Sequence, residues 1–282
     1  MGIYDDVLLT VDFDRTLTAP DSSVPQRNID AILYFMDNGG KFTVNTGRSM
    51  NTFKAHMDTV PTNAPLLLLN GSARYYEGKF ENVKAIDLPM WPVLEQMATE
   101  FPEMNLEVQT LGIHYLINAT PEYEQMYHGM GWAYDFAKSG RDLGPFIKFA
   151  LFGHPHYPAV GSMFEATAEE IANIDRVHAR IEQLWGDKVV VFRAAPRIVD
   201  VHAKGVSKSI AARTLQKELG RKILVCVGDA ENDIPMLDGA DYAFCPADGV
   251  VADRYDTVCN CADGAVADVI YEKIPEILKH QP

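Results

Sequence analysis

Five short, largely apolar runs constrain the fold of this chain more than any other feature: Val7 to Val11, Lys41 to Asn45, Leu66 to Leu69, Ile223 to Val227 and Tyr242 to Cys245. Continuous apolar runs of this length read as strands buried on both faces, the habit of a parallel sheet. Helical patterns lie between them. Pro25 to Asn38 carries Ile29, Ile32, Leu33 and Met36 at helical spacing and stops at Gly39-Gly40, while Ser207 is placed to cap a helix running to Leu219 and Gly220. The alternation predicts a layered α/β domain.

The texture changes after the third run. Ala73 to Glu77, the turn Gly78-Lys79 and Phe80 to Ile86 predict a β-hairpin. From Leu88 to about Val199 the pattern is αββαβαββ: helices at Trp91 to Phe101, from Pro121, and at Ala168 to Trp185, with strands at Leu106 to Gln109, Ile113 to Asn118, Phe146 to Phe152, Lys188 to Phe192 and Arg197 to Val201. The parallel pattern then resumes. The expectation is a discontinuous parallel-sheet core, residues 1–86 and 200–282, interrupted by an inserted α+β domain, residues 87–199.

Composition narrows the partners. Of the 282 residues, 47% are hydrophobic and 23% charged, as in ordinary globular proteins. Twenty-five basic residues against thirty-nine acidic give a net charge of −14, which repels nucleic acid and anionic lipid. An acidic protein that handles a phosphate must neutralise it locally, with a divalent cation and a placed Lys or Arg. The four cysteines, Cys226, Cys245, Cys259 and Cys261, lack metal-site spacing and read as reduced structural thiols. No basic region precedes Val7 to Val11, and that run is too short for a signal peptide or membrane span, so a cytoplasmic protein is expected. Gly2 does not make a myristoylation site, because Asp6 stands where Ser or Thr is required.

The reactive side chains fall where the predicted strands end, which is where open parallel sheets hold ligands. Asp12-Phe13-Asp14-Arg15-Thr16 follows the first run. Its two carboxylates, at i and i+2, can divide a phosphoryl transfer, Asp12 attacking phosphorus and Asp14 moving the proton. Thr46 and the Gly47 amide, after the second run, could donate to a phosphate oxygen or merely cap a helix, and Arg48 suits a structural pairing. Lys204-Gly205-Val206-Ser207-Lys208 offers two cations, of which Lys208, within the first helical turn, is preferred to Lys204. Gly228-Asp229-Ala230-Glu231-Asn232-Asp233 ends the fourth run, and Asp229 can complete a magnesium site with Asp12.

Taken in order, Asp-x-Asp-x-Thr, Thr-Gly-Arg, Gly-Val-Ser-Lys and Gly-Asp-x-x-Asn-Asp resemble the haloacid dehalogenase (HAD) superfamily, in particular its Cof-like phosphatases. Asn70-Gly71-Ser72 resembles the same subgroup, and the insert is similar in size and place to its type-two α/β cap. The resemblance implies a Rossmann-like HAD core and a cap that chooses the substrate. It implies Asp12 as nucleophile and Mg2+ ligand, Asp14 as acid/base lending its backbone carbonyl to the metal, and Asp229 as the remaining carboxylate ligand. Phosphate would be held by the Phe13 amide, Thr46, Gly47, Lys208 and Asn232, with Asp233 supporting the site from behind. Arg15 departs from the glycine common in the family.

The expected activity is therefore a Mg2+-dependent phosphatase acting through an aspartyl-phosphate on small phosphorylated metabolites, sugar phosphates first and phosphorylated cofactors behind. A phosphomutase on the same scaffold is the nearest alternative. A phospho-accepting receiver or binding protein would need neither the insert nor Asp14. Outside this set, Cys259-Asn260-Cys261 is expected in a strand, His154-Pro155-His156 in a loop, and Arg193, Arg197 and His202 either in surface pairs or reading a second polar group.

Overall fold

The computed structural model describes residues 2–153 and 166–280. The His154-Pro155-His156 loop lies outside the described residues. Along the chain come β1 (Val7–Val11), α1 (Gln26–Asp37), β2 (Lys41–Val44), α2 (Met50–Phe53), β3 (Leu66–Leu68), β4 (Ala73–Tyr76) and β5 (Lys79–Glu81). Next are α3 (Met90–Glu100), β6 (Asn105–Gln109), β7 (His114–Asn118), α4 (Pro121–Gly129), β8 (Tyr134–Phe136), β9 (Lys148–Phe152), α5 (Ala168–Trp185), β10 (Val189–Ala195) and β11 (Ile198–Ala203). The chain closes with α6 (Lys208–Glu218), β12 (Ile223–Val227), α7 (Ile234–Asp238), β13 (Tyr242–Pro246), β14 (Asp256–Val258), α8 (Ala265–Asp268) and α9 (Ile274–Lys279).

These elements form two compact units: Met1–Gly47 with Ala55–Glu81 and Ser207–Pro282, and Arg48–Lys54 with Asn82–Val206. Apart from the short stretch Arg48–Lys54, the units change over at 81/82 and 206/207, a few residues from the 86/87 and 199/200 expected from the sequence. Hydrogen bonding explains the shift. The predicted hairpin strand to Ile86 ends at Glu81, and Ile86 donates its N–H to the Phe146 carbonyl at 2.6 Å and is buried in the second unit's core. At the return, β11 pairs with both β9 and β10, which keeps residues through Val206 in the second unit.

The first unit is built on a five-stranded sheet of order β14-β13-β12-β1-β2, parallel throughout. Both β1 and β12 are buried along their whole length, as their apolar runs require. Register sets the level at which the chain leaves the sheet: Val11 stands opposite Val227 on one side and Val44 on the other. Asp12, Gly228 and Asn45 therefore emerge side by side at the carboxyl edge. A single parallel bridge, Asn45 to Leu67, brings β3 alongside before it turns into the antiparallel β3-β4-β5 sheet. α1 is rotated from the expected face: Asn28, Ala31, Ile32 and Phe35 are buried, while Leu33 is exposed. Phe35 packs on Tyr4 at 4.9 Å between ring centres, and that aromatic contact fixes the rotation.

The second unit has a six-stranded sheet of order β10-β11-β9-β6-β7-β8, antiparallel except for the β7–β8 pair. β8 is an addition to the predicted αββαβαββ pattern. Its three residues are too few to show alternation, and pairing with β7 creates it. Leu106, Val108, Phe149, Leu151, Val199 and Val201 join residues of α3 and α5 in one apolar core. α5 begins with Thr167 and Glu170 in a reciprocal cap, each side chain accepting from the other's backbone N–H. Among the described residues no helix is long and apolar enough to cross a membrane.

Candidate active site

The carboxyl edge of the first unit's sheet gathers side chains from four separate stretches of chain. Asp12 follows β1, its N–H donating to the Val227 carbonyl at 2.9 Å. Asp229 and Asp233 follow β12, and with Asp12 they present buried carboxylate oxygens within 4.8 Å of one another. Lys208 enters from the first position of α6, which Ser207 caps by accepting the Ile210 N–H at 3.1 Å. Its ammonium donates to Asp12 Oδ1 and, at 2.6 Å, to Asp233 Oδ1. Lys208 is 2% exposed. Lys204, the alternative cation, is exposed and donates to the Gly186 carbonyl at 2.7 Å within the second unit.

Asp233 is braced on its other oxygen. Oδ2 accepts the N–H groups of Asp229 at 3.1 Å and Ala230 at 3.2 Å, closing the loop after β12. The bracing depends on Gly228, because a Cβ there would stand 2.6 Å from Asp233 Cβ. Asn232 lies half-buried in the turn Glu231–Asp233. Phe13 is buried with its ring 4.7 Å from His56, Asp14 is half-buried, and Thr46 is buried with its N–H donating to the Leu67 carbonyl at 2.9 Å. Arg15, where the resemblance leads one to expect a glycine, has φ 58°, the left-handed backbone that glycine adopts freely.

Sequence reasoning assigned no work to two residues that matter here. Thr16 donates its hydroxyl to Asp229 Oδ1 at 2.9 Å, and Asn45 donates to the Lys208 carbonyl at 2.9 Å, tying β2 to the start of α6. Thr16 stood within the first motif, but nothing local links it to a residue more than two hundred positions away. Arg48 donates to the Thr52 carbonyl at 3.0 Å. Arg193 pairs with Asp175 and Arg197 with Glu170, whereas His202 is fully buried and not a surface group. Cys259 and Cys261 lie beyond the end of β14 and not in a strand, and all four cysteines are free.

Electrostatics define what the edge can hold. Burial pushes the Asp12 carboxyl up to about 7, helped by Asp233 and Asp14 and opposed by Lys208. Burial also raises Asp229 well above the carboxylate range, with Asp12 and Asp233 adding to it. Burial works against the Lys208 ammonium, but Asp12 and Asp233 outweigh it and hold the lysine charged. Three carboxyl groups thus share one ammonium, so ionising all of them calls for a further positive charge. An oxygen-only set with surplus negative charge fits a hard divalent cation.

A parallel sheet with acids and a lysine at its carboxyl edge, interrupted in sequence by a second sheet-bearing unit, defines a two-unit α/β protein with a charged, buried site at that edge. The model of one family, haloacid dehalogenase-like hydrolase, matches residues 9–269, and the chain belongs to that family. An uncharacterized hydrolase of Schizosaccharomyces pombe is 20% identical over 279 residues, 93% of this chain and 89% of that protein. Solved structures share the fold across nearly the whole chain. A haloacid dehalogenase-like hydrolase from B. subtilis aligns with TM-score 0.77 and 18% identity over 94% of this chain and 99% of that one. The phosphatase BT1666 of Bacteroides thetaiotaomicron gives 0.74 and 19% over 98% and 96%, and the subclass IIB sugar phosphatase BT4131 gives 0.72 and 18% over 96% and 98%.

Proposed function

We propose that this hydrolase is a Mg2+-dependent phosphatase of small phosphorylated metabolites, with sugar phosphates the first class to test. The observation that carries the reading is the buried Lys208 bonded to both Asp12 and Asp233 beside Asp229. That arrangement answers the requirement for local neutralisation in a chain of net charge −14. The similar folds of a phosphatase and a sugar phosphatase support the substrate class.

In the proposed reaction an Asp12 carboxylate oxygen bonds to phosphorus as the bond to the leaving oxygen breaks, and Asp14 gives that oxygen its proton. Water then attacks phosphorus, Asp14, now ionised, takes a proton from that water, and the Asp12–phosphorus bond breaks to release orthophosphate. Asp12, Asp229 and the Asp14 backbone carbonyl would hold the cation, since Asp233 is already engaged by Lys208 and two backbone amides. When bound, Mg2+ offsets the charge of the carboxylates and the phosphate. Thr46, Gly47, the Phe13 amide and Asn232 are assigned to the phosphate oxygens, and the second unit, as a cap, to choice of the leaving group.

The decisive experiment measures orthophosphate release from 4-nitrophenyl phosphate, then from a panel of phosphorylated metabolites, with and without Mg2+. Activity should require the metal, and Asp12→Asn should lose it by at least ~10³-fold while remaining folded. Full activity of that variant, or of metal-stripped protein, would overturn the mechanism. Transfer of the phosphoryl group between positions of one sugar, without orthophosphate release, would point to a mutase.

A further inference from the structure

Three consecutive residues after β3 take the left-handed backbone: Leu69 at φ 54°, Asn70 at 55° and Gly71 at 93°. Glycine adopts it freely and asparagine tolerates it, but for leucine it is a strained conformation. Neither Leu69 nor Asn70 lies at the surface, each being 1% exposed. Strain at a buried turn persists only where the surrounding contacts over-determine it, and such turns gather at functional sites.

Those contacts converge on Thr46. Its N–H donates to the Leu67 carbonyl, and its own carbonyl accepts the Asn70 N–H, each at 2.9 Å. With the first bond in place, a regular parallel ladder would give the second to Leu69, two residues after Leu67. The left-handed step at Leu69 interposes one residue, so Asn70 becomes the donor. The Ser72 N–H then closes the turn on the Leu69 carbonyl at 3.0 Å.

The same step lays the Asn70 side chain against Gly47. A Cβ on Gly47 would stand 3.1 Å from Asn70 Oδ1 and 3.4 Å from Nδ2, closer than side chains ordinarily pack. Gly47 is not in the left-handed region, so this neighbour, and not its own backbone, calls for glycine there. We infer that Leu69–Gly71 is a strained positioning turn with Asn70 as its positioning residue. The Asn70 N–H fixes Thr46, and the Asn70 amide, packed on Gly47, fixes the direction in which the Gly47 N–H meets a phosphate oxygen. Every residue involved belongs to the first unit. The inference rests on the proposed function for what Thr46 and Gly47 bind.

The test uses full-length protein with Mg2+ and the variants Asn70→Gly, Gly47→Ala and the two combined. Asn70→Gly suits the left-handed backbone and removes the amide. It should lower kcat/KM for 4-nitrophenyl phosphate about tenfold and weaken inhibition by orthophosphate about tenfold. Gly47→Ala should cost about tenfold in kcat/KM on its own, because its methyl meets Asn70, but less than twofold in the Asn70→Gly background. Additive losses, or unchanged kinetics and inhibition in Asn70→Gly, overturn the inference. Asn70→Asp, of the same shape, decides the question if Asn70→Gly does not fold. Its carboxylate against Gly47 should weaken orthophosphate inhibition at least tenfold, and unchanged inhibition again overturns the inference. Should the wild type hydrolyse no phosphomonoester, the proposed function fails, and the same cycle read as urea midpoints still decides the contact. Gly47→Ala should then lower the midpoint of the wild type and not that of Asn70→Gly, and equal lowering in both overturns it.

Discussion

Lys208 shows how tightly one residue can be bound to the rest of a site. Its ammonium is the shared partner of Asp12 and Asp233, all three buried. Removing one member of a buried ionic group strands the others, typically at about 3–5 kcal/mol. Lys208→Met is expected to lower unfolding free energy by that amount, measured by urea denaturation at pH 7, and to abolish the proposed phosphatase activity. Thr16 acts more gently, orienting Asp229 through one hydroxyl. Groups that orient a metal ligand usually contribute about 10–100-fold to affinity. Thr16→Val should raise the Mg2+ concentration for half-maximal activity by that factor, and an unchanged titration would remove Thr16 from the metal's surroundings.

At the scale of elements, the start of α6 is placed by close approach of backbone. Gly71, with φ +93°, lies where a Cβ would stand 2.7 Å from the Ser207 carbonyl oxygen and 2.8 Å from Ala211 Cβ. Only glycine lets the turn after β3 pack against the residue that caps α6 and precedes Lys208. Gly71→Ala combines a left-handed backbone with overpacking, together about 2–4 kcal/mol. Lower stability in thermal or urea unfolding should be accompanied by a loss of kcat, as α6 carries Lys208 away from Asp12. The fit between Asn70-Gly71-Ser72 and the lysine helix explains why residues so far apart in sequence serve one edge.

For the whole molecule, pH acts through two opposing sets of buried groups. His114 is pushed down to about 3 by burial and Lys148, and His202 is lowered by the same causes. As pH falls below about 6.5 the unfolded chain takes up these protons first, so stability present above that pH is lost on the way down, by about 2 kcal/mol for His114 at pH 5. Asp12 works the other way: with its carboxyl raised to about 7, the folded protein holds a proton that the unfolded chain releases from about pH 4 upward. Saturation with Mg2+ keeps Asp12 ionised and removes that compensation. Stability between pH 7 and 5 should therefore fall more steeply with Mg2+ than with a chelator, as read from urea unfolding at each pH. Equal slopes would contradict this balance.

The carboxyl-edge motifs and the alternation of strands and helices were legible in the sequence because they are local. A buried strand shows as a run of apolar residues, a cap as a serine at a helix start, and Asp12, Thr46 and Asp229 sit within two residues of strands whose ends face ligands. Pairing and burial were not legible, since they depend on residues distant in sequence. Only the tertiary structure bonded Lys208 to Asp12, joined Thr16 to Asp229 and buried Phe35 on α1. It also made a strand of Tyr134–Phe136 by pairing it with β7. Hydrogen bonds to neighbouring strands, which no local pattern encodes, decided where each unit begins. By itself the sequence determined which groups stand at the sheet's edge, because covalent neighbours of a strand must leave it where it ends. The fold decided which of them meet, because desolvation forces buried charges to find partners wherever the packing brings them.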